Sequence, residues 1–185
     1  MPNKKGHGLI FIDTETTGLS YTDQILQFAA IYGIFDGKRF HEEKRINQYI
    51  NITTKINFFA QRVHGIKESM VAKYGYIDTY IDIFLKHIKK SDYIIGHNIS
   101  FDIRMLRQDC ERIGRLHDWD NIKTFCTMKD IDYTKELNLK KRPKLGLLYS
   151  HLFDKAFENA HDAMSDIQAT KDCFLELHKR GKICL

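Results

Sequence analysis

Asp13 and Glu15 stand two residues apart at the end of a continuously apolar run, Leu9-Ile10-Phe11-Ile12. Alternate side chains of an extended strand share a face, so the two carboxylates emerge together. Two anions at that spacing call for a cation, and hard oxygen donors suit Mg²⁺ or Mn²⁺ rather than Zn²⁺. The plainer alternative is a pair of solvated acids leading into a turn at Gly18. Two later stretches carry further candidates. Asp102, in Asn98-Ile99-Ser100-Phe101-Asp102, falls in the first turn of a helix, where the helix dipole alone favours a negative charge by about 0.3–1 kcal/mol. His161, Asp162 and Asp166 open the last helix. Asp162 and Asp166 are four apart and share a helix face. Spacing leaves open which of them is a ligand, since Asp162 could instead be the N-cap.

The elements that must position these groups are legible in outline. The run ending in Asp13 and Glu15 has the composition of a central strand covered on both faces. A polar link, Tyr21-Thr22-Asp23, leads to a second strand over 24–32, and so short a connection favours an antiparallel neighbour. Asp36-Gly37-Lys38 signals a hairpin, with a third strand over 45–50. From about Asn57 the pattern turns helical, in short pieces broken at Gly65 and Gly75. His64 sits at the first break, where a part-buried turn residue is the simplest reading. A longer amphipathic helix over 78–90 places Ile81, Phe84, Leu85 and Ile88 on one stripe. A fourth strand, 92–98, follows a helix and precedes another, which makes it a crossover strand parallel to a neighbour. A weaker fifth strand falls within 122–128. Leu145, Leu148 and Leu152 mark a short helix, and Ile167, Phe174 and Leu177 the buried side of a last helix that closes at Gly181.

The chain is 185 residues long and 43% hydrophobic, with 29 Lys and Arg against 24 Asp and Glu. That is one domain, 1–185, with no apolar run long enough to span a bilayer and no secretory signal, so a cytoplasmic protein is expected. A net charge of +5 permits a polyanionic partner without requiring one. The cysteines, Cys110, Cys126, Cys173 and Cys184, show neither C-x-x-C nor zinc-finger spacing, so reduced thiols are expected.

Taken together, Asp13-Thr14-Glu15-Thr16-Thr17-Gly18, His97-Asn98 followed by Phe101-Asp102, and His161-x-Ala163-x-x-Asp166 resemble the DEDDh family of 3′ to 5′ exonucleases. This is the family of the proofreading epsilon subunits of bacterial DNA polymerase III and their stand-alone relatives. The resemblance covers nearly the whole chain, with the motifs in order. It implies an α/β ribonuclease H-like fold, a mixed five-stranded sheet in the order 3-2-1-4-5 with helices on both faces. It also implies that Asp13, Glu15, Asp102 and Asp166 hold two divalent cations, Mg²⁺ or Mn²⁺, and that His161 is the general base. Two such ions, roughly 3.5–4 Å apart, activate water and support the leaving oxygen in phosphodiester hydrolysis. Carried over in the same way, Thr16, Leu19, Val63, His64 and Phe101 contact substrate, with Leu19 and Phe101 near the terminal bases. Where the family often has Asp-Thr on the fifth strand, this chain has Cys126-Thr127. The implied partners are nucleic acid 3′ ends, DNA favoured over RNA on the wording Thr-Glu-Thr-Thr-Gly. Proofreading would need a separate DNA polymerase. An RNA exonuclease of the same superfamily and a non-catalytic nucleic-acid-binding module are the rival readings. Arg104, Arg107, Lys123 and the basic loop 140–144 are candidates for backbone contacts.

Overall fold

The computed structural model describes residues 6–115, 121–157 and 162–185. β1 (His7–Thr16), β2 (Ile25–Phe35) and β3 (Phe40–Tyr49) lead into α1 (Phe58–His64), α2 (Glu68–Val71) and α3 (Ile77–Lys90). Then come β4 (Tyr93–Gly96), α4 (Ser100–Arg112), β5 (Lys123–Cys126), α5 (Leu145–Phe153) and α6 (Ala163–Lys179). The sheet order is β3-β2-β1-β4-β5. The first three strands pair antiparallel, while β4 runs parallel to both β1 and β5. This is the expected mixed sheet.

β2 and β3 extend further toward their shared turn than hydrophobic patterning predicts. Asp36 organises that turn: its Oδ1 accepts the Lys38 and Arg39 amides at 2.8 and 2.7 Å. Gly37 there takes φ +93°, which a side chain would resist. β3 starts at Phe40 instead of Arg45, paired with β2 from Phe35↔Phe40 onward, and residues 41–45 at the sheet edge are all exposed. An exposed edge segment has no alternation to read, and its charges discourage pairing with another chain.

The two faces of β1 sort the helices. Even-numbered Ile10 and Ile12 pack with Phe28, Ala30 and Ile94 beneath α3 and α4, whose Ile81, Phe84, Ile88 and Leu106 are buried. The Phe28 and Phe84 rings stack with centroids 4.0 Å apart. Odd-numbered Leu9 and Phe11 pack with Ile31, Ile95 and the Ile167, Phe174 and Leu177 stripe of α6. The next odd positions on β1 are Asp13 and Glu15. The same period of two that buries Leu9 and Phe11 against α6 therefore aims both acids at that helix's first turn.

Cys110, Cys126 and Cys173 are buried thiols and Cys184 is exposed, none of them in a disulfide. No helix among the described residues is long and apolar enough to cross a membrane.

Candidate active site

Asp13, Glu15 and Asp166 each bring a carboxylate oxygen into one group whose members all lie within 4.8 Å of one another. α6 resolves which of its two acids contributes. Asp162 is the N-cap, accepting the Ser165 amide at 3.0 Å and the Ser165 hydroxyl at 2.9 Å. Asp166, one turn on, joins the β1 acids.

Asp102 is buried and arrives from α4, outside that trio. Its Oδ1 accepts the Thr14 amide at 2.9 Å and the Thr14 hydroxyl at 2.8 Å. β4 pairs with β1 only as far as Phe11 and Ile95, so Thr14 lies beyond the last strand carbonyl on that edge, and Asp102 supplies the missing acceptor. The turn that delivers Asp102 is tightly specified. A Cβ at Gly96 would lie 2.8 Å from the Ile99 side chain and 3.2 Å from the Ile12 carbonyl oxygen. Asn98 follows in a left-handed conformation, φ +73°, its amide donating to the Cys126 sulfur at 3.3 Å. Cys126, which replaces the acid usual at that position in the resemblance, thus accepts the hydrogen bond that ends this turn.

Burial first, then the charges of Asp102, Glu15, Asp166 and Asp162, push the Asp13 carboxyl well above the usual carboxylate range. Burial and the charge of Asp166 raise Glu15 from 4.5 to about 8. Burial raises Asp102 from 3.8 to about 7, against the opposing hydrogen bonds from Thr14. Crowded acids that resist ionisation, with oxygen as the donor throughout, fit hard divalent cations.

These shifts set a pH dependence for the metal-free protein. Between the ordinary carboxyl range and about pH 8 the folded chain holds more protons than the unfolded one, so stability falls as pH rises through that window. Thermal melts in EDTA are expected to drop on the order of 5–10 °C from pH 5 to pH 8. Saturating Mg²⁺ or Mn²⁺ should flatten that slope. Equal slopes with and without metal would refute it.

A cavity of about 730 Å³ opens beside Glu15, and its walls include Thr16, Leu19, Val63, His64 and Phe101, all five predicted contact positions. Leu19 is 76% exposed and Val63 52%, so both offer apolar surface at the cavity. His64 closes α1, where Gly65 caps the helix at φ +70°. Its Nδ1 accepts the Ile66 amide at 3.0 Å, which leaves the ring proton on Nε2. Nε2 is itself buried, on the side of the Thr16 backbone. Burial lowers the pKa of this ring, with the Thr16 backbone opposing, so the imidazole in the cavity wall is neutral.

Sequence reading missed what holds the Leu19 loop in place. Along α4, Arg104, Gln108 and Arg112 recur every four residues on one face. Arg104 donates to the Leu19 carbonyl at 3.3 Å, and Gln108 to the Ser20 and Tyr21 carbonyls at 3.2 and 3.1 Å. Arg112 donates to the Asp23 carbonyl at 3.0 Å. The Arg104 guanidinium also lies 5.2 Å from the Phe101 ring centroid, so this candidate backbone contact touches both the Leu19 loop and Phe101. Gln108→Leu should cost about 1–3 kcal/mol of stability by leaving loop carbonyls unpaired. It should also raise KM for an oligonucleotide several-fold with a smaller change in kcat. Thermal melts and steady-state kinetics check both.

His97, the first residue of the His97-Asn98 motif, has a structural part. Its Nε2 donates to the Pro143 carbonyl at 3.1 Å and its Nδ1 lies 2.9 Å from the Thr127 hydroxyl. Burial lowers its pKa to about 4, so a neutral imidazole ties the basic loop 140–144 to the end of β4. His161 lies outside the described residues.

Acids gathered at the carboxyl end of the central strand of a 3-2-1-4-5 sheet define a ribonuclease H-like nuclease. The model of the RNase T exonuclease family matches residues 10–174, and the chain belongs to that family. It is 31% identical over 168 residues to the DNA polymerase III subunit epsilon of Buchnera aphidicola subsp. Acyrthosiphon pisum, covering 85% of this chain and 67% of the relative. The corresponding subunit of Rickettsia conorii is 29% identical over 178 residues, covering 91% and 72%. Among solved structures, E. coli exonuclease I in complex with a dA16 oligonucleotide superposes with a TM-score of 0.78 at 20% identity. That match covers 95% of this chain but only 42% of exonuclease I. Exonuclease X in complex with 5′-overhanging duplex DNA superposes at 0.61 and 22% identity, over 94% and 93% of the two chains. The chain is an exonuclease with an acidic cluster compatible with metal binding.

Proposed function

We propose that this exonuclease, a single catalytic domain over 1–185, removes nucleotides from DNA 3′ ends, single-stranded or mispaired. The observation that carries the reading is the juxtaposition of the Leu19, Val63, His64 and Phe101 cavity with the Asp13, Glu15 and Asp166 cluster. A terminal nucleotide seated between apolar walls would bring its phosphodiester to the acids. The names of the epsilon relatives and the DNA bound to the two solved neighbours favour DNA and a role beside a separate polymerase.

Asp13, Glu15 and Asp166, with the second oxygen of Asp102, would hold the divalent cations, Mg²⁺ or Mn²⁺. When bound, such ions neutralise charge on the scissile phosphate and acidify water. Thr14 keeps Asp102 aimed by occupying its other oxygen. The Thr16 hydroxyl donates to the Gly18 carbonyl at 2.7 Å, so its oxygen is left to accept from the terminal 3′-hydroxyl. His64 would pack beside the same nucleotide as part of the cavity wall. His161 takes a proton from the attacking water as the new P–O bond forms and the bond from phosphorus to the 3′-oxygen breaks, that oxygen taking a proton from solvent to become the new terminal 3′-hydroxyl. The product is a nucleoside 5′-monophosphate.

The test uses 5′-labelled single-stranded DNA, mispaired duplex and RNA of one sequence, each in Mg²⁺, Mn²⁺ and EDTA. A ladder shortening from the 3′ end, faster on DNA and abolished by EDTA, is expected. Shortening from the 5′ end would overturn the polarity, and faster loss of RNA the substrate. Binding without cleavage in either metal would leave a nucleic-acid-binding module.

A further inference from the structure

α1 has no buried residue, yet it carries two adjacent phenylalanines, Phe58 at 65% exposure and Phe59 at 74%. Its ends hold it in place. The Asn57 amide donates to the Thr17 carbonyl at 2.7 Å, the Asn57 side chain caps the Phe59 amide at 2.9 Å, and the Gly65 amide returns to the Gln61 carbonyl at 2.8 Å. The helix is therefore fixed to the loop after β1 while its apolar rings point to solvent. The two rings meet edge to face, centroids 5.6 Å apart, and most of each ring is still exposed. Phe59 lines the cavity beside Glu15, as does Lys55, and the Arg62 guanidinium lies 5.8 Å from the Phe58 ring centroid.

We propose that Phe58 and Phe59 form a stacking platform for unpaired bases upstream of the nucleotide in the cavity, with Lys55 and Arg62 beside the strand's phosphates. The inference rests on the reading that a nucleic acid strand enters that cavity. Exposed aromatic faces interleaved with cations and continuous with a nucleotide site are what a single strand needs, since every base offers a π-face whatever its identity. A polyanion matches the two cations, whereas an apolar protein segment would leave both unused. The shared chemistry is the base face, in DNA or RNA. The consequence is a length dependence: affinity should climb as nucleotides are added that reach the platform.

Binding of 5′-labelled dT2, dT4, dT6 and dT8 to the full chain, by fluorescence anisotropy in EDTA, reads this without cleavage. Wild type should tighten steeply with length. Phe58→Ala/Phe59→Ala should weaken dT6 roughly tenfold or more, with a smaller loss on dT2. Phe58→Tyr/Phe59→Tyr, which keeps the rings, should restore the length dependence, and U6 should behave like dT6. Abasic residues upstream should weaken the wild type and add little further loss in the alanine variant. The same length dependence in wild type and alanine variant would overturn the platform, as would equal losses on dT2 and dT6. Length-dependent binding lost in the variant, in a protein that cleaves nothing, would sink the nuclease mechanism and leave the platform standing.

Discussion

Asp13→Asn is expected to abolish metal-dependent cleavage while raising the melting temperature of the metal-free protein. The two effects have one cause. Asp13 lies where the charges of Asp102, Glu15, Asp166 and Asp162 all act on it, on top of burial. In the absence of metal its ionised form is the most opposed in the cluster, so an isosteric amide removes repulsion and leaves the shape of β1 unchanged. With metal present the same charge becomes an asset, because a divalent cation held by fewer anionic oxygens binds more weakly and sits less firmly. Charge stabilisation by bound metal is worth several kcal/mol in the transition state, so activity should fall by about a thousandfold or more. Cleavage of a labelled oligonucleotide in Mn²⁺ and melts in EDTA at pH 7.5 measure the two sides. Wild-type activity would remove Asp13 from the metal platform. A lowered metal-free melting temperature would show that the carboxylate is structural.

The parts of this site that could be read in the sequence are those whose positions repeat with a backbone period. Asp13 and Glu15 share a face because Leu9 and Phe11 do, and the α3 stripe of Ile81, Phe84, Leu85 and Ile88 is buried as its spacing requires. What remained hidden depends on contacts between distant segments. Asp162 and Asp166 are equivalent by spacing, and only the hydrogen bonds from Ser165 separate the cap from the cluster. Nothing in the chain around Asp102 announces that Thr14, 88 residues earlier, uses one of its oxygens. Arg104 reads only as a candidate for nucleic-acid backbone contact, and its bond to the loop carrying Leu19 depends on that loop folding against α4. The start of β3 is hidden for the opposite reason: residues 41–45 are exposed and carry no alternation, so their strand is set by backbone pairing with β2 and by Phe40 against Phe11.

His161→Ala is expected to lower kcat by about a hundred- to ten-thousandfold while oligonucleotide affinity in metal changes little. In sequence His161 directly precedes Asp162, the cap of the helix whose first turn carries Asp166. The proposed base is thus adjacent in sequence to the turn that brings Asp166 to the acidic cluster. Its unperturbed pKa of about 6.5 makes it a proton acceptor near neutrality. The acid cluster also titrates in this range when metal is absent, Glu15 at about 8 and Asp102 at about 7, so an acidic limb measured at low metal mixes two events. Saturating metal separates them, because cations bound to carboxylates hold those groups ionised and leave the imidazole as the titrating group. Under that condition the wild-type rate should fall tenfold per pH unit below the imidazole pKa, and the limb should vanish in His161→Ala. Added imidazole should recover part of the lost rate. If the variant kept both the wild-type rate and the acidic limb, a different group would have to accept the proton from the attacking water.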